Sequence, residues 1–260
     1  MRRPPGSLDA WAAYQRGLWH MGKATAANNA LAQKFFHEAI DRDPTFAGGH
    51  WGLAATHMYA AAVFQASSLP DARSTMEVLA RRAVALDGSD AEARSWLGQT
   101  LFMFGDHKGA LAETERALAI SPNLTVAHEG LGIALIYSGR SKEGLTALQR
   151  YLRLDPRDPI LALGLLQIAV GHYFCRDYEA ALDAVERVIR SYPDFPLSYR
   201  WLAATLGQLG RTEEARSALE KAVLVAPTSF DFYVRGRAPW FRPEDHAHML
   251  EGLRKAGWRG

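Results

Sequence analysis

The residues best suited to chemistry lie near the C-terminus, in the run Asp245-His246-x-His248. Two imidazoles and a carboxylate are common zinc ligands. Side chains two residues apart on a helix, however, point to different sides of it. We therefore interpret the run as a solvated helix face and expect no metal there.

Other fragments match catalytic motifs only in part. His128-Glu129 has no second histidine four residues later, as metalloproteases require, and Gly130-x-Gly132 lacks the third glycine and the strand of a dinucleotide loop. The single cysteine, Cys175, excludes an internal disulfide and has no predictable histidine partner. We expect no catalytic residue, no cofactor and no enzyme activity.

The composition favours helices. Of the 260 residues, 48% are apolar and 22% are charged, which can support a folded core. Ala and Leu dominate, and no alternating run of Val, Ile and Thr predicts strands. Thirty Lys and Arg against 28 Asp and Glu give a net charge of +2, which indicates no nucleic acid and no anionic membrane as partner.

No segment is typical of secretion or membrane insertion. The N-terminal residues 1–7 are basic but have no apolar run behind them. The longest apolar stretch, residues 160–170, is shorter than the roughly 20 residues that span a bilayer. The expected compartment is the cytoplasm, whether the chain is a whole protein or a fragment of a larger one.

An internal repeat organises the elements that must position any site. Matching features recur 34 residues apart: Leu97-Gly98 with Leu131-Gly132, Gly105 with Gly139, Pro122 with Pro156, and Pro193 with Pro227. This pattern resembles the tetratricopeptide repeat (TPR), in which each unit is a pair of antiparallel helices. The resemblance implies an all-α, right-handed superhelical solenoid of about six helix pairs with a C-terminal capping helix.

The repeat divides the chain into three kinds of segment. Residues 1–8 are expected to be a flexible N-terminus, and residues 228–260 a capping segment. The six units between them are expected at residues 9–44, 45–88, 89–122, 123–156, 157–193 and 194–227. The capping helix, Glu244 to Lys255, should pack Met249, Leu250 and Leu253 against the sixth unit and cover its Leu219/Val223 face.

Small and polar residues mark where the helices approach and end. Gly98 and Gly132 should allow close backbone contact within a pair. Left-handed caps are expected at Gly105, Gly139 and Gly210. Side-chain caps are expected at Asp106, Ser141, Asp177 and Thr212, with a capping box at Ser89-x-x-Glu92.

The C-terminal residues carry a second resemblance. Gly236-Arg237-x-Pro239-Trp240 and the ending Glu251 to Gly257 look like the tail of TPR regions in bacterial class III adenylate and guanylate cyclases. That resemblance implies a regulatory or scaffolding part of a cyclase-like signalling protein and implies no catalysis in this chain.

In the TPR family, the first helix of each unit lines a concave groove that binds a peptide or a partner helix. The resemblance places the following residues there: Trp51, Met58, Tyr59, Gln99, Phe102, Met103, Glu129, Ile133, Tyr137, Tyr173, Phe174 and Arg200. The function expected is a scaffold that binds a protein or peptide partner. Two alternatives stay open: self-association into a homodimer, and aromatics that only fill space between helices or hold the C-terminal segment. An enzyme would need a pocket of convergent titratable groups, which the sequence does not supply.

Overall fold

The computed structural model describes residues 6–64, 66–158, 161–193, 195 and 197–260. These residues form fourteen α-helices and one π-helical turn, with no strand among them. The helices are α1 (Leu8–Met21), α2 (Ala26–Arg42), α3 (Ala47–Ala62), α4 (Leu69–Leu86), α5 (Ala91–Met103), α6 (His107–Ile120), α7 (Thr125–Tyr137), α8 (Ser141–Leu154), α9 (Leu161–Phe174), α10 (Tyr178–Ser191), α11 (Ser198–Gln208), α12 (Thr212–Val225), α13 (Pro227–Phe230) and α14 (Pro243–Lys255). The π-helical turn, Asp231–Arg235, follows α13 directly.

The helices from α1 to α12 pack as antiparallel pairs in chain order, which confirms the all-α TPR-type fold. The chain divides into two compact units, Met1–Gly130 and Leu131–Gly260. No helix in the described part of the chain is long and apolar enough to cross a bilayer.

Glycine lets the two helices of a pair touch. A Cβ on Gly98 would lie 2.6 Å from the Thr114 hydroxyl and 3.0 Å from the Ala110 carbonyl oxygen. A Cβ on Gly132 would lie 2.6 Å from Cγ of Leu148. Both distances are too short for a real side chain, so the predicted close approach is confirmed.

The first helices end as the sequence predicts. Gly105, Gly139 and Gly210 have φ values of 85°, 88° and 74°, in the left-handed region that favours glycine. Of the remaining first helices, α1 and α3 have right-handed C-caps, and α9 has Arg176 at the left-handed position with a φ of 62°. Its amide still donates to the Tyr173 carbonyl, as the Gly139 amide does to Ile136.

Half of the predicted side-chain caps are wrong. The carboxylates of Asp106 and Asp177 accept from the amides of Gly109 and Ala180 as expected. Ser141 and Thr212, in contrast, are the first residues inside their helices. The residues before them are arginines that pair with glutamates in the first turn, Arg140 with Glu143 and Arg211 with Glu214.

The predicted capping box is wrong, because α5 begins one residue later than the sequence suggests and has Ala93 at its third position. Asp90, not Ser89, is the N-cap of α5, and its carboxylate accepts from the amides of Glu92 and Ala93. The Ser89 hydroxyl instead donates to Asp87 in the turn before the helix. Aspartate and serine are both good N-caps, so the two adjacent positions could not be separated by residue type.

In four of the helix pairs, a polar side chain on the first helix contacts the end of the preceding pair. The side chains of His50, Arg94, His128 and Tyr199 contact the backbone carbonyls of Pro44, Gly88, Pro122 and Pro193, six residues earlier in every case, at 2.7 to 3.0 Å. Each acceptor lies just after a second helix ends. These residues therefore fix the turn between consecutive pairs.

The C-terminal helix packs against the sixth pair as the sequence predicts, but it leaves part of the predicted face uncovered. Met249 and Leu253 of α14 are fully buried, but α14 packs mainly against α11, the first helix of the sixth pair. Val223 on α12 stays 44% exposed. The reason is that the backbones of Gly207 and Gly252 are in direct contact, which brings α14 onto the first helices.

Candidate partner-binding surface

The predicted groove residues lie on the first helices of consecutive pairs. In the first of the two compact units, Met1–Gly130, α3 carries Trp51, Met58 and Tyr59, α5 carries Gln99, Phe102 and Met103, and α7 carries Glu129. From here on, "first unit" and "second unit" mean these two compact units. In the second unit, α7 carries Ile133 and Tyr137, α9 carries Tyr173 and Phe174, and α11 carries Arg200. All are buried except Phe174, which is half-buried. That these residues bind a partner stays a prediction.

In the first unit, aromatic rings pack between successive first helices. The ring of Trp51 is edge-on to Tyr14 of α1 at 5.8 Å and stacks on Trp96 of α5 at 6.3 Å. Tyr59 meets the same Trp96 edge-on at 5.7 Å. Burial of these rings and their edge-to-face geometry stabilise the stack of helices.

The other first-unit residues contact the neighbouring turns. The ring of Phe102 is edge-on to His107 at 5.8 Å, and the side-chain amide of Gln99 donates to the Val126 carbonyl at 3.5 Å. Gln99 keeps 9% of its surface exposed. It therefore holds the start of α7 and also presents a polar group at the surface.

In the second unit, the C-terminal segment (residues 231–258) occupies the surface of the first helices. Phe241 is at the centre of this contact. Its ring is edge-on to Tyr137 at 5.0 Å and to Phe174 at 6.4 Å, and it stacks on Trp201 at 6.3 Å. These four rings come from α7, α9, α11 and the C-terminal segment. Here the structure agrees with the alternative that the aromatics hold the C-terminal segment.

Hydrogen bonds add to this contact. The Tyr173 hydroxyl donates to the backbone carbonyl of His248 at 2.9 Å, and the Tyr178 hydroxyl lies 2.8 Å from Nε2 of the same histidine. Burial raises the pKa of Tyr173 and lowers the pKa of His248. Both groups are therefore neutral at pH 7, as suits a contact removed from water.

Arg200 is a buried cation on this surface. Only 5% of the residue is exposed, and burial lowers the pKa of its guanidinium. The guanidinium carbon lies 4.0 Å from the centre of the Tyr233 ring and 5.7 Å from that of Trp201. No carboxylate in the described residues pairs with it, and its Nε has no hydrogen-bond partner there.

The two histidines of the Asp245-His246-x-His248 run make two different contacts. Nε2 of His246 donates to the Tyr233 carbonyl at 3.0 Å, whereas His248 contacts Tyr178. In the described ranges, no group of three His, Cys, Asp or Glu side chains is arranged to hold a metal ion. Burial raises the pKa of the Cys175 thiol, which disfavours the reactive thiolate.

Sequence reasoning missed the partners of these residues. Trp96, Trp201, Tyr233 and Phe241 complete the aromatic contacts but were not among the predicted groove residues. The two tryptophans carried a signal, since each lies two residues after the donor that joins consecutive pairs. Tyr233 and Phe241 follow the last repeat and had no periodic signal.

Two family profiles match the chain. The profile described as the bacterial transcriptional activator domain (BTAD) matches residues 33–157, and a tetratricopeptide repeat profile matches residues 172–231. The chain therefore has a TPR-like fold, and residues 172–231 are similar to the tetratricopeptide repeat. Its N-terminal part is similar to the activator domain.

Individual relatives agree on the fold. The BBSome complex member bbs-4 of Caenorhabditis elegans is 26% identical over 183 residues, which are 70% of this chain and 38% of that protein. The APC/C hetero-tetramer Cut9-Hcn1 gives a TM-score of 0.69 at 13% identity, over 94% of this chain and 43% of the other. The pilF structure of Pseudomonas aeruginosa gives 0.58 at 18% identity, over 86% and 95%.

These likenesses show the fold alone, a TPR-like all-α solenoid. The chain spans 38% of the length of bbs-4 and 43% of the matched Cut9-Hcn1 chain. The matches do not support the expected likeness to class III cyclases, because residues 33–157 match an activator domain instead. Neither matched profile is a catalytic domain.

Proposed function

We propose that the chain is a protein-interaction module of a bacterial transcriptional activator. The observation that carries this proposal is the BTAD match over residues 33–157, followed along the chain by the TPR match over residues 172–231. The helix pairs supply the physical means, because neighbouring first helices within each compact unit present a shared surface to another protein.

The twelve predicted groove residues are the proposed partner-binding set. Aromatic and arginine side chains in a desolvated surface are where interfaces concentrate binding energy. In the first unit, the buried rings of Trp51 and Tyr59 give the surface its shape, and Gln99 offers a polar contact at its edge. In the second unit, a partner would meet the residues that now contact the C-terminal segment.

The activator match also changes the expectation about nucleic acid. Charge balance argues against direct DNA binding by this chain, but an activator acts at promoters, so its complex includes DNA. We propose that this chain contributes the protein contact. DNA contact would come from another protein or another part of a longer chain.

The test measures binding of the purified chain to bacterial RNA polymerase and, separately, to duplex DNA by biolayer interferometry. We expect binding to polymerase and none to DNA alone. Gln99→Ala should weaken polymerase binding about tenfold, while the chain stays folded and loses only about 1 kcal/mol of stability with the bond to the Val126 carbonyl. The matched control Val78→Ala, at an exposed position of α4, should bind like the unchanged chain. Binding to neither probe would contradict the proposal, and binding to DNA alone would make the chain a nucleic-acid module.

Self-association is a second candidate function, favoured by an apolar strip at the end of the second unit. Leu224 is 81% exposed, and Val223 and Val225 beside it are more than two-fifths exposed. An open cleft of about 470 Å³ lies next to the strip, lined in part by Leu219 and Trp258. Exposed apolar surface of this kind is typical of contact sites.

Sedimentation velocity at two concentrations tests this second function. If the strip is a contact between copies, the chain should sediment as a dimer at the higher concentration, and Leu224→Glu should restore the monomer. Glu220→Gln, at a polar position on the same cleft, is the matched control and should leave the dimer intact. A monomer at both concentrations would exclude self-association through this strip.

A further inference from the structure

The C-terminal segment lies where the proposed function requires a partner to bind. Its Phe241 contacts the aromatic rings of three successive first helices, and His248 contacts Tyr173. Gly252 of α14 is so close to α11 that a Cβ there would lie 2.5 Å from the Ala204 carbonyl oxygen. The segment therefore fills the second-unit part of the predicted groove.

The C-terminal segment buries its apolar side chains well against the first helices, but it supplies no anionic partner for the buried charge of Arg200. Met249 and Leu253 are fully buried and Phe241 is almost so. The segment's own buried acid, Asp245, receives two hydrogen bonds from Arg242 at 2.7 and 2.8 Å, so it is committed within the segment. Arg200, in contrast, receives only the ring faces of Tyr233 and Trp201.

A buried guanidinium without a carboxylate is an unfavourable arrangement. Ring faces attract a cation, but less strongly than a carboxylate that accepts hydrogen bonds from the guanidinium. The C-terminal segment brings no acid to Arg200; instead it places His246 close enough that the positive charge of Arg200 helps to lower the pKa of that histidine. A ligand that places a carboxylate where the Tyr233 ring now lies would give the Arg200 guanidinium the anionic partner that it lacks.

We propose that the C-terminal segment is a displaceable occupant of the second-unit groove, and that the partner which replaces it carries aromatic anchors and a carboxylate that pairs with Arg200. This inference rests on the proposed function, since it assumes that the first helices bind a peptide. It adds the partner's chemistry and the competition between the partner and the chain's own C-terminus.

The first experiment weakens the contact of the C-terminal segment with α11 by a substitution and then measures the binding of a peptide at the exposed surface. Gly252→Ala adds a methyl group that clashes with α11 and with the Tyr173 hydroxyl, and alanine also favours the free helix. A labelled peptide of residues 231–258 should bind the full-length Gly252→Ala chain about tenfold or more tightly than the unchanged chain, by fluorescence anisotropy. The control Glu251→Ala, at an exposed neighbouring position, should behave as the unchanged chain. Equal binding to all three chains would overturn the proposal.

The second experiment tests the carboxylate. In the same peptide, Tyr233→Glu should bind the Gly252→Ala chain about tenfold more tightly than Tyr233→Gln. The difference should vanish when the chain also carries Arg200→Met, which keeps the apolar stem and removes the charge. If the glutamate and glutamine peptides bind equally, Arg200 does not select an acidic partner and that part is overturned.

A measurement on the unchanged chain covers the case in which Gly252→Ala fails to fold. Native-state hydrogen exchange should show that the amides of α14 open at a lower free energy than those of α10 and α12. Equal protection would mean that α14 is an integral part of the second unit, contrary to the proposal. Failure of polymerase binding together with tight peptide binding would instead contradict only the proposed function.

Discussion

At the residue scale, the most unusual backbone position is that of Arg176. It follows α9 at the position where α5, α7 and α11 have a left-handed glycine, and its φ of 62° costs a residue with a Cβ about 1–2 kcal/mol. The Arg176 side chain is exposed. The strain is therefore not offset by packing of that side chain.

We expect Arg176→Gly to raise the free energy of unfolding by about 1 kcal/mol, because glycine adopts this conformation without the Cβ contact. Urea titration followed by circular dichroism measures the change. Gly210→Ala is the matched reverse variant, since its φ is 74° and an added Cβ would meet no atom within 4 Å. It should lower stability by a similar amount. A destabilised Arg176→Gly chain would contradict the strain argument.

At the scale of elements, the contact that joins one helix pair to the next is made by different residue types at the same position of the repeat. Histidine, arginine and tyrosine each reach the carbonyl six residues earlier. What the position requires is a donor of sufficient length. The carbonyl it satisfies lies in the turn two residues after a second helix ends, where the helix itself supplies no donor.

Tyr199→Phe tests this contact with little change in packing. The ring and its neighbour Lys221, 4.5 Å from the ring centre, are retained, and only the bond from the hydroxyl to the Pro193 carbonyl is lost. We expect a loss of about 1 kcal/mol in the free energy of unfolding. Tyr192→Phe, whose hydroxyl makes no hydrogen bond in the described part of the chain, should have no measurable effect. Equal effects would show that the bond does not stabilise the fold.

At the scale of the whole molecule, partly or fully buried histidines link stability to pH. Burial lowers the pKa of His50, His57, His246 and His248 in the folded chain. The unfolded chain then binds protons more readily below the ordinary histidine value of about 6.5. Their contribution is complete above that value and is lost as the pH falls towards the folded-state pKa.

The free energy of unfolding should therefore decrease between about pH 7.5 and pH 5.5. Urea titrations at the two pH values measure the difference. His248→Gln should make the dependence shallower, because one of the four histidines no longer takes up a proton on unfolding. Stability that rises on acidification would show that these histidines gain rather than lose affinity for protons in the folded chain.

Periodicity predicted the helix pairs and their close contacts, because Gly98, Gly132 and the left-handed glycines each have one geometric reason to be there. Caps were harder, since a neighbouring residue such as Asp90 can replace the expected one. The groove residues were predicted by helix face alone. Whether Phe241 would fill that face could not be read from the sequence, because it depends on a long-range contact outside the repeat.

The contact between Gly207 and Gly252 determines how the C-terminal helix can respond to a competitor. Because the two backbones touch, a shift of α14 by one residue would bring the side chain of Glu251 or Leu253 against Gly207, where there is no room for it. No intermediate register along α11 is available. A competitor of the proposed kind would therefore meet α14 either in this one register or detached from α11, and only the proportion of molecules in each state would be graded.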